Sequence, residues 1–423
     1  MKATPRGLRL HIGIFGRRNV GKSSLLNALT RQQVAIVSEV AGTTTDPVEK
    51  PMEMLPLGPV VFIDTAGVDD EGDLGSLRIE KTRRILDRTD LALVVAAGDG
   101  WGSFENDLLD EFARRGVPAI AVWNKSDLAA PPAAVADALS RRGVKCVATA
   151  AAGGDGIAAL RGALIEAAPE DWINPPSILG GLVERWEPGA PVVLVIPIDQ
   201  EAPKGRIILP QVQVIRDLLD HDRWCVVVKE NALAEALATL HRPPALVVTD
   251  SQAFAQVAAI VPPDVPLTGF SVLMSRWKGD LAELARGAVA IDSLCPGDRV
   301  LIIDACTHHP ITDDIAREKL PRWLNAHVGG ELAITNSQGR DWPADLAAYK
   351  LVVHCGACMW NRREMLSRIL HAREAGVPIT NFGMAIAWSL GVFARALAPF
   401  PEVAGEALGV GGAGGAERAG HRD

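Results

Sequence analysis

The run Gly16-Arg17-Arg18-Asn19-Val20-Gly21-Lys22-Ser23 constrains this chain more than any other stretch. Its spacing is that of the phosphate-binding loop G-x-x-x-x-G-K-[ST], which needs a strand before it and a helix after it. Both are legible: Leu10 to Phe15 is a short apolar run, and Leu25, Leu26, Ala28 and Leu29 recur at helical spacing. In such a loop glycines let backbone amides curl around a β-phosphate, Lys22 reaches the β and γ phosphates, and the Ser23 hydroxyl ligates magnesium. Ser24 completes the set of nucleotide-binding loop residues.

Two further strand ends carry matching chemistry. Asp64-Thr65-Ala66-Gly67 closes the apolar run Val60 to Ile63, placing Asp64 at the magnesium shell and the Gly67 amide where a γ-phosphate is sensed. Asn124-Lys125-Ser126-Asp127 closes another strand, Ala119 to Trp123. A carboxylate at Asp127 accepts from the paired N1 and N2 donors of guanine, which adenine lacks, so GTP is expected over ATP. Thr149-Ala150-Ala151 stands where a base-contacting loop belongs, in degenerate form.

The alternation of short strands and helices continues to the end, so the expected fold is α/β: a P-loop GTPase domain followed by two further parallel-sheet α/β domains. A length of 423 residues exceeds what one core supports. Composition shifts place the GTPase domain at 8–172, a Pro- and Gly-rich linker at 173–190, α/β segments at 191–265 and 266–400, and a disordered Gly-rich tail at 401–423. A net charge of -8 argues against nucleic acid and anionic membrane as partners. No export signal and no apolar run of bilayer length is visible, so a soluble cytoplasmic protein is expected.

Six cysteines are too few for a disulfide scaffold of this length. Cys146 and Cys225 lie in apolar strands and read as core, and Cys295 sits in a turn without a partner in view. The other three fall at strand ends: Cys306-Thr307-His308 after Arg299 to Asp304, and His354-Cys355-Gly356-Ala357-Cys358 after Leu351 to Val353. Loops at the carboxyl ends of neighbouring parallel strands share one crevice, so three sulfurs can converge there, with His308 or His354 beside them. The donor set suits a Cys₃His zinc and an iron-sulfur cluster equally.

Between the first two nucleotide motifs lies Gly42-Thr43-Thr44-Thr45-Asp46-Pro47, and this domain resembles the GTPases of the Era and TrmE kind. The resemblance implies that Thr44, beside the nucleotide-binding Thr43, ligates magnesium, and that Asn19 helps hold a potassium ion in the transition state. The catalytic set it implies is Asn19, Lys22, Thr44 and Gly67. Val68 stands where a water-orienting glutamine would be. Arg17 and Arg18 read as solvated loop residues, with an arginine finger as the rival.

A GTPase domain followed by C-x-H, a long spacer and H-C-x-x-C is similar to the HydF family of [FeFe]-hydrogenase maturation GTPases. The stretches Ala202 to Gln213 and Gly269 to Arg276 share the likeness, which runs from about residue 8 to 398. It implies a [4Fe-4S] cluster on Cys306, Cys355 and Cys358 with an open iron site, and His308 or His354 as exchangeable ligand or nearby donor. It further implies a scaffold and metallochaperone that receives a transient diiron precursor from the radical-SAM maturases HydE and HydG. Delivery is to apo-[FeFe]-hydrogenase, with 191–265 a homodimerisation domain and 266–400 the cluster domain. The alternative is an Era-like RNA-associated GTPase with a structural zinc.

Overall fold

A computed structural model describes residues 4–30, 48–65, 82–98, 100–198, 207–305, 314–343 and 345–409. The chain divides into two compact units, Met1–Pro175 and Pro176–Asp423.

The first unit is built on a six-stranded sheet of order β2-β3-β1-β4-β5-β6, comprising β1 (Leu10–Phe15), β2 (Val48–Met54), β3 (Gly58–Asp64), β4 (Leu91–Ala96), β5 (Ala119–Trp123) and β6 (Lys145–Ala148). All neighbours are parallel except β2, which runs antiparallel along β3. Alternation along the strands feeds two apolar layers. Ile12, Ile14, Leu93 and Val95 pack to one side, and Phe15, Ala92, Val94 and Ala121 to the other. Strands buried on both faces keep few polar positions, which is why β4 and β5 read as unbroken apolar runs and β1 is interrupted by His11, whose Nδ1 donates to Arg9 O at 2.9 Å.

The second unit holds two parallel four-stranded sheets. One has order β10-β9-β7-β8, from β7 (Val192–Val195), β8 (Cys225–Val228), β9 (Leu246–Thr249) and β10 (Leu267–Gly269). The other has order β12-β11-β13-β14, from β11 (Arg299–Asp304), β12 (Ala333–Gln338), β13 (Leu351–His354) and β14 (Ile379–Asn381). A single apolar cluster joins them, running from Val193, Val195 and Val247 through Leu273 and Leu284 to Ile303, Val352 and Ile369.

Three expected boundaries differ from the structure. The stretch 173–190 is not a free linker: Ile178, Leu179, Leu182 and Val183 are buried in the second unit's core. Asp217 fixes them by accepting from Ser177 Oγ and the Leu179 amide at 2.9 Å, and Arg276 donates to Ile178 O at 2.9 Å and Gly180 O at 2.5 Å. A cut at 265/266 would sever β10 from its sheet, because Leu267 to Gly269 pairs in parallel with β9. Residues 401–408 of the expected tail form a helix, Pro401–Leu408, which packs on the Leu281–Val289 helix with Arg286 bonded to Glu406. Pro401 suits a first helical turn and Gly409, at φ 66, suits its end. The rest of that expectation, 410–423, lies outside the described residues.

Candidate functional site

The phosphate loop leaves β1 and turns into the Lys22–Thr30 helix. Lys22 is buried, and its Nζ donates to Gly16 O and Arg17 O, both at 2.7 Å. Gly21 sits at φ +93, and a Cβ there would lie 2.2 Å from Asn124 Nδ2, so only glycine fits. Asn19 also has a positive φ, 59. Register places Asp64 beside Ile14, at the end of the neighbouring strand.

Ser23 Oγ donates to Asp64 Oδ2 at 2.7 Å, so the expected magnesium pair is brought together. Asp64 is buried, and burial pushes its carboxyl up, opposed by the Ser23 hydrogen bond and the Lys22 charge. Its Oδ1 is buried without a partner among the described residues. An orphaned carboxylate oxygen beside a serine hydroxyl fits a magnesium ion with its water shell.

Asn124 ties three segments together. Its Nδ2 donates to Val20 O at 2.9 Å, and its Oδ1 accepts from Thr149 Oγ1 and the Ala151 amide, both at 3.1 Å. The degenerate Thr149-Ala150-Ala151 loop is therefore part of the same lattice. Arg18, Asn19, Val20 and Lys125 line one cavity of about 490 Å³ with Leu128 and Ala129. Asp127 is exposed in the same turn. Thr43, Thr44, Gly67 and Val68 lie outside the described residues.

Arg17 is not a freely solvated loop residue. Its guanidinium donates to both Glu105 oxygens, at 2.9 and 3.3 Å, and stacks 5.7 Å from the Phe104 ring. Glu105 is 0% exposed and also accepts from the Gly102 amide at 2.8 Å, capping the Ser103–Arg114 helix. A glutamate three residues after a glycine, at the start of an apolar-periodic helix, carries the signal of a capping residue. Nothing in sequence pairs it with Arg17.

In the second unit, β11, β13 and β14 are in register at Ile303, His354 and Asn381, so their carboxyl ends form one rim. The Cys355 amide donates to Ile303 O at 2.8 Å. Cys355 Sγ accepts from the Ala305 amide at 3.1 Å and the Ala357 amide at 3.4 Å. The backbone immediately before Cys306 is thus in contact with the Cys355 sulfur. The Cys355-to-Trp360 turn passes through Ala357 at φ 45 and closes with the Trp360 amide on Ala357 O. The Arg362–Glu374 helix follows, capped by Asn361, with its N-terminus beside the cysteines.

Without a metal, burial pushes the Cys355 thiol up to about 12. A bound cation reverses this, because metal ligation requires the thiolate. Lys278 is buried beside this turn, and burial pulls its ammonium down to about 8 despite the charges of Cys358 and Cys355. His354 is fully buried and held neutral, pulled down to about 4 by burial and then by Arg368. Its Nδ1 donates to Cys355 O at 2.8 Å, and Nε2 is buried without a partner among the described residues. Trp360 stands edge-on to His354 at 5.4 Å, with the guanidinium groups of Arg340 and Arg368 5.9 and 5.3 Å from its ring.

The amide donors to sulfur and the orphaned imidazole nitrogen fit a metal centre at this rim. Cys306 and His308 lie outside the described residues, and among the described residues no group of three candidate ligands converges. Cys146, Cys225 and Cys295 are free thiols; Cys146 and Cys225 pack at core edges and Cys295 is exposed. Gly356 and Cys358 open onto a cavity of about 1070 Å³ within the second unit, walled by Ile196, Gln211, Phe270 and Asn381.

A phosphate loop, its serine–aspartate pair and an Asn-Lys-Ser-Asp turn knitted to that loop define the class: a P-loop GTPase domain joined to a unit of two parallel sheets. Residues 11–125 match the 50S ribosome-binding GTPase family. Residues 178–279 match the hydrogen maturase F dimerization domain and residues 282–399 its tetramerization domain. The chain belongs to the hydrogen maturase F family.

Among curated relatives, the tRNA modification GTPase MnmE of Heliobacterium modesticaldum is 48% identical over 120 residues, 27% of this chain and 25% of the relative. MnmE of Laribacter hongkongensis is 38% identical over 160 residues, 37% of this chain and 34% of the relative. The chain thus spans about a quarter to a third of the length of these relatives. Era of Aquifex aeolicus, a solved structure, is 20% identical at a TM-score of 0.34, covering 59% of this chain and 97% of that one. Among the described residues no helix is long and apolar enough to cross a membrane.

Proposed function

We propose that the chain is a GTP-hydrolysing scaffold that carries an iron-sulfur centre on Cys306, Cys355 and Cys358. It would receive a diiron precursor from HydE and HydG and deliver it to apo-[FeFe]-hydrogenase. The observation that carries this reading, beside family membership, is the Ala305 amide on Cys355 Sγ at 3.1 Å. It supports placing the C-x-H and C-x-x-C strand ends at one centre. A [4Fe-4S] cluster with one iron free of cysteine would supply a vacant coordination position for an external group. The protein's own part is to fix Cys355 through two amides, hold His354 neutral, and set Cys358 at the mouth of a cavity of about 1070 Å³ that can admit the cargo.

At the nucleotide site, Lys22 and the loop amides would hold the phosphates, Ser23, Thr44 and Asp64 the magnesium and its shell, and Asp127 the guanine. Gly67 would sense the γ-phosphate. Asn19 would help hold a potassium ion. Self-association through residues 178–279 is supported by β8, an edge strand whose Val227 is 47% exposed next to a 46% exposed Trp224.

Anaerobic purification with iron, sulfide and zinc analysis, and EPR of the reduced protein, tests the reading. Iron and sulfide near four per chain are expected. Cys355→Ala should abolish them and leave GTP hydrolysis within about twofold, because the site belongs to a separate compact unit. Zinc at one per chain without iron would overturn the proposal.

A further inference from the structure

The Phe270–Lys278 helix ends against the cysteine turn, and its last residue is a lysine that is 3% exposed. Lys278 Nζ donates to three carbonyls of that turn: Cys358 O at 2.7 Å, Trp360 O at 2.8 Å and Ala357 O at 3.5 Å. Next to it, Arg362 Nε donates to Trp277 O at 3.0 Å, binding the same helix end to the start of the following helix. An ammonium has three protons, and here all of them are directed at one short loop. Its ring contact, Trp277 at 5.4 Å, adds no negative charge.

A buried ammonium is costly to fold unless a negative charge or several acceptors compensate it. Carbonyl dipoles satisfy its protons without neutralising its charge. Among the described residues no carboxylate forms an ion pair with Lys278, and its polar contacts are the three carbonyls of the cysteine turn. One positive charge with no carboxylate partner among the described residues therefore sits on the turn that carries Cys355 and Cys358, while the amides of Ala305 and Ala357 donate to Cys355 Sγ. A neutral core would gain nothing from this arrangement, whereas a centre with net negative charge would.

We infer that Lys278 is a positioning residue of the cysteine site, whose ammonium clamps the Ala357–Trp360 turn and sets the charge felt by the metal centre held there. The inference rests on the proposed cluster and deepens it. Adding an electron to the centre makes it more negative, so a fixed cation close by stabilises the reduced form and raises the reduction potential. Removing the cation should lower it.

The test uses the full chain, reconstituted anaerobically, as wild type and as Lys278→Met, Lys278→Gln and Lys278→Arg. Iron and sulfide are counted first, then the midpoint potential is read by EPR-monitored redox titration. The expected result is a shift to more negative potential in K278M and K278Q, with K278R close to wild type. Amide exchange of the segment 355–361 in the metal-free protein should speed up in K278M and less in K278Q, whose amide retains two donors. If the wild type holds no iron, the cluster reading fails and this inference falls with it. If the wild type holds iron and the neutral variants keep its potential, Lys278 is only a structural residue and this inference alone is overturned. Should K278M fail to fold, K278Q against K278R decides, equal potentials refuting the inference.

Discussion

Asn124→Ala offers the sharpest test of how the nucleotide site is held together. The side chain makes three hydrogen bonds of 2.9, 3.1 and 3.1 Å, and it is 2% exposed. Its partners Val20, Thr149 and Ala151 are themselves buried, so truncation leaves groups that water reaches poorly. A neutral buried hydrogen bond contributes about 1 kcal/mol net, and an abandoned buried partner costs about 1–3 kcal/mol. The Thr149 hydroxyl can rotate to another acceptor, but the Val20 carbonyl and the Ala151 amide cannot. The sum is a loss of about 3 kcal/mol from the first unit. Native-state hydrogen exchange by mass spectrometry reads this on the slow amides of β1, β4 and β5. At about 1.4 kcal/mol per decade, exchange should quicken about 150-fold. Thr149→Val, which removes only the hydroxyl donor, should give about 1 kcal/mol, or roughly fivefold. An Asn124→Ala effect below about threefold would refute the view that this side chain organises the loop.

Two further outcomes follow from the same unit. Glu105→Ala removes a buried carboxylate that holds Arg17 and the Gly102 amide, so the thermal midpoint of the first unit should fall by several degrees, corresponding to about 2–3 kcal/mol. Differential scanning calorimetry with and without GDP and magnesium checks it, and an unchanged midpoint would show that Arg17 is held by other means. GTP hydrolysis should be faster in potassium than in sodium chloride at equal ionic strength, and Asn19→Ala should erase the difference; equal wild-type rates would remove potassium from the proposed mechanism.

The parts of the fold that were legible are those whose burial leaves a complete trace in residue type. β1, β5 and β11 match their expected runs to the residue because each is flanked by other strands and covered on both faces. β2 was hidden: Val48-Glu49-Lys50-Pro51-Met52-Glu53-Met54 carries three charges and a proline, as an edge strand tolerates and an interior strand does not. β10 has three residues, too few for a periodicity. The Pro401–Leu408 helix was masked by the glycines beyond it, although Val403 packs on the core.

At the sites, the residues proposed to meet ligands were readable because phosphate and metal chemistry demand particular side chains at fixed spacing. The residues that hold those in place were not. Glu105 lies 88 positions from Arg17, and Lys278 lies 80 positions from Cys358. Glu105 reads by itself as a helix-capping residue and Lys278 as an ordinary surface charge at a helix end, and only tertiary packing brings each to its partner.

The continuous apolar cluster across the two small sheets bears on how this chain can be taken apart. A segment folds alone only if its own interior is complete, and neither sheet has that: Val195 of one and Ile303 of the other belong to one buried cluster that also takes in Leu273 and Leu284. The dimerization and tetramerization segments should therefore unfold as one cooperative block, despite the family boundary between 279 and 282. A protease, an inserted tag or a circular permutation would be borne between Pro175 and Pro176, where the two units part, while the same break at Gly279 would expose a raw hydrophobic face.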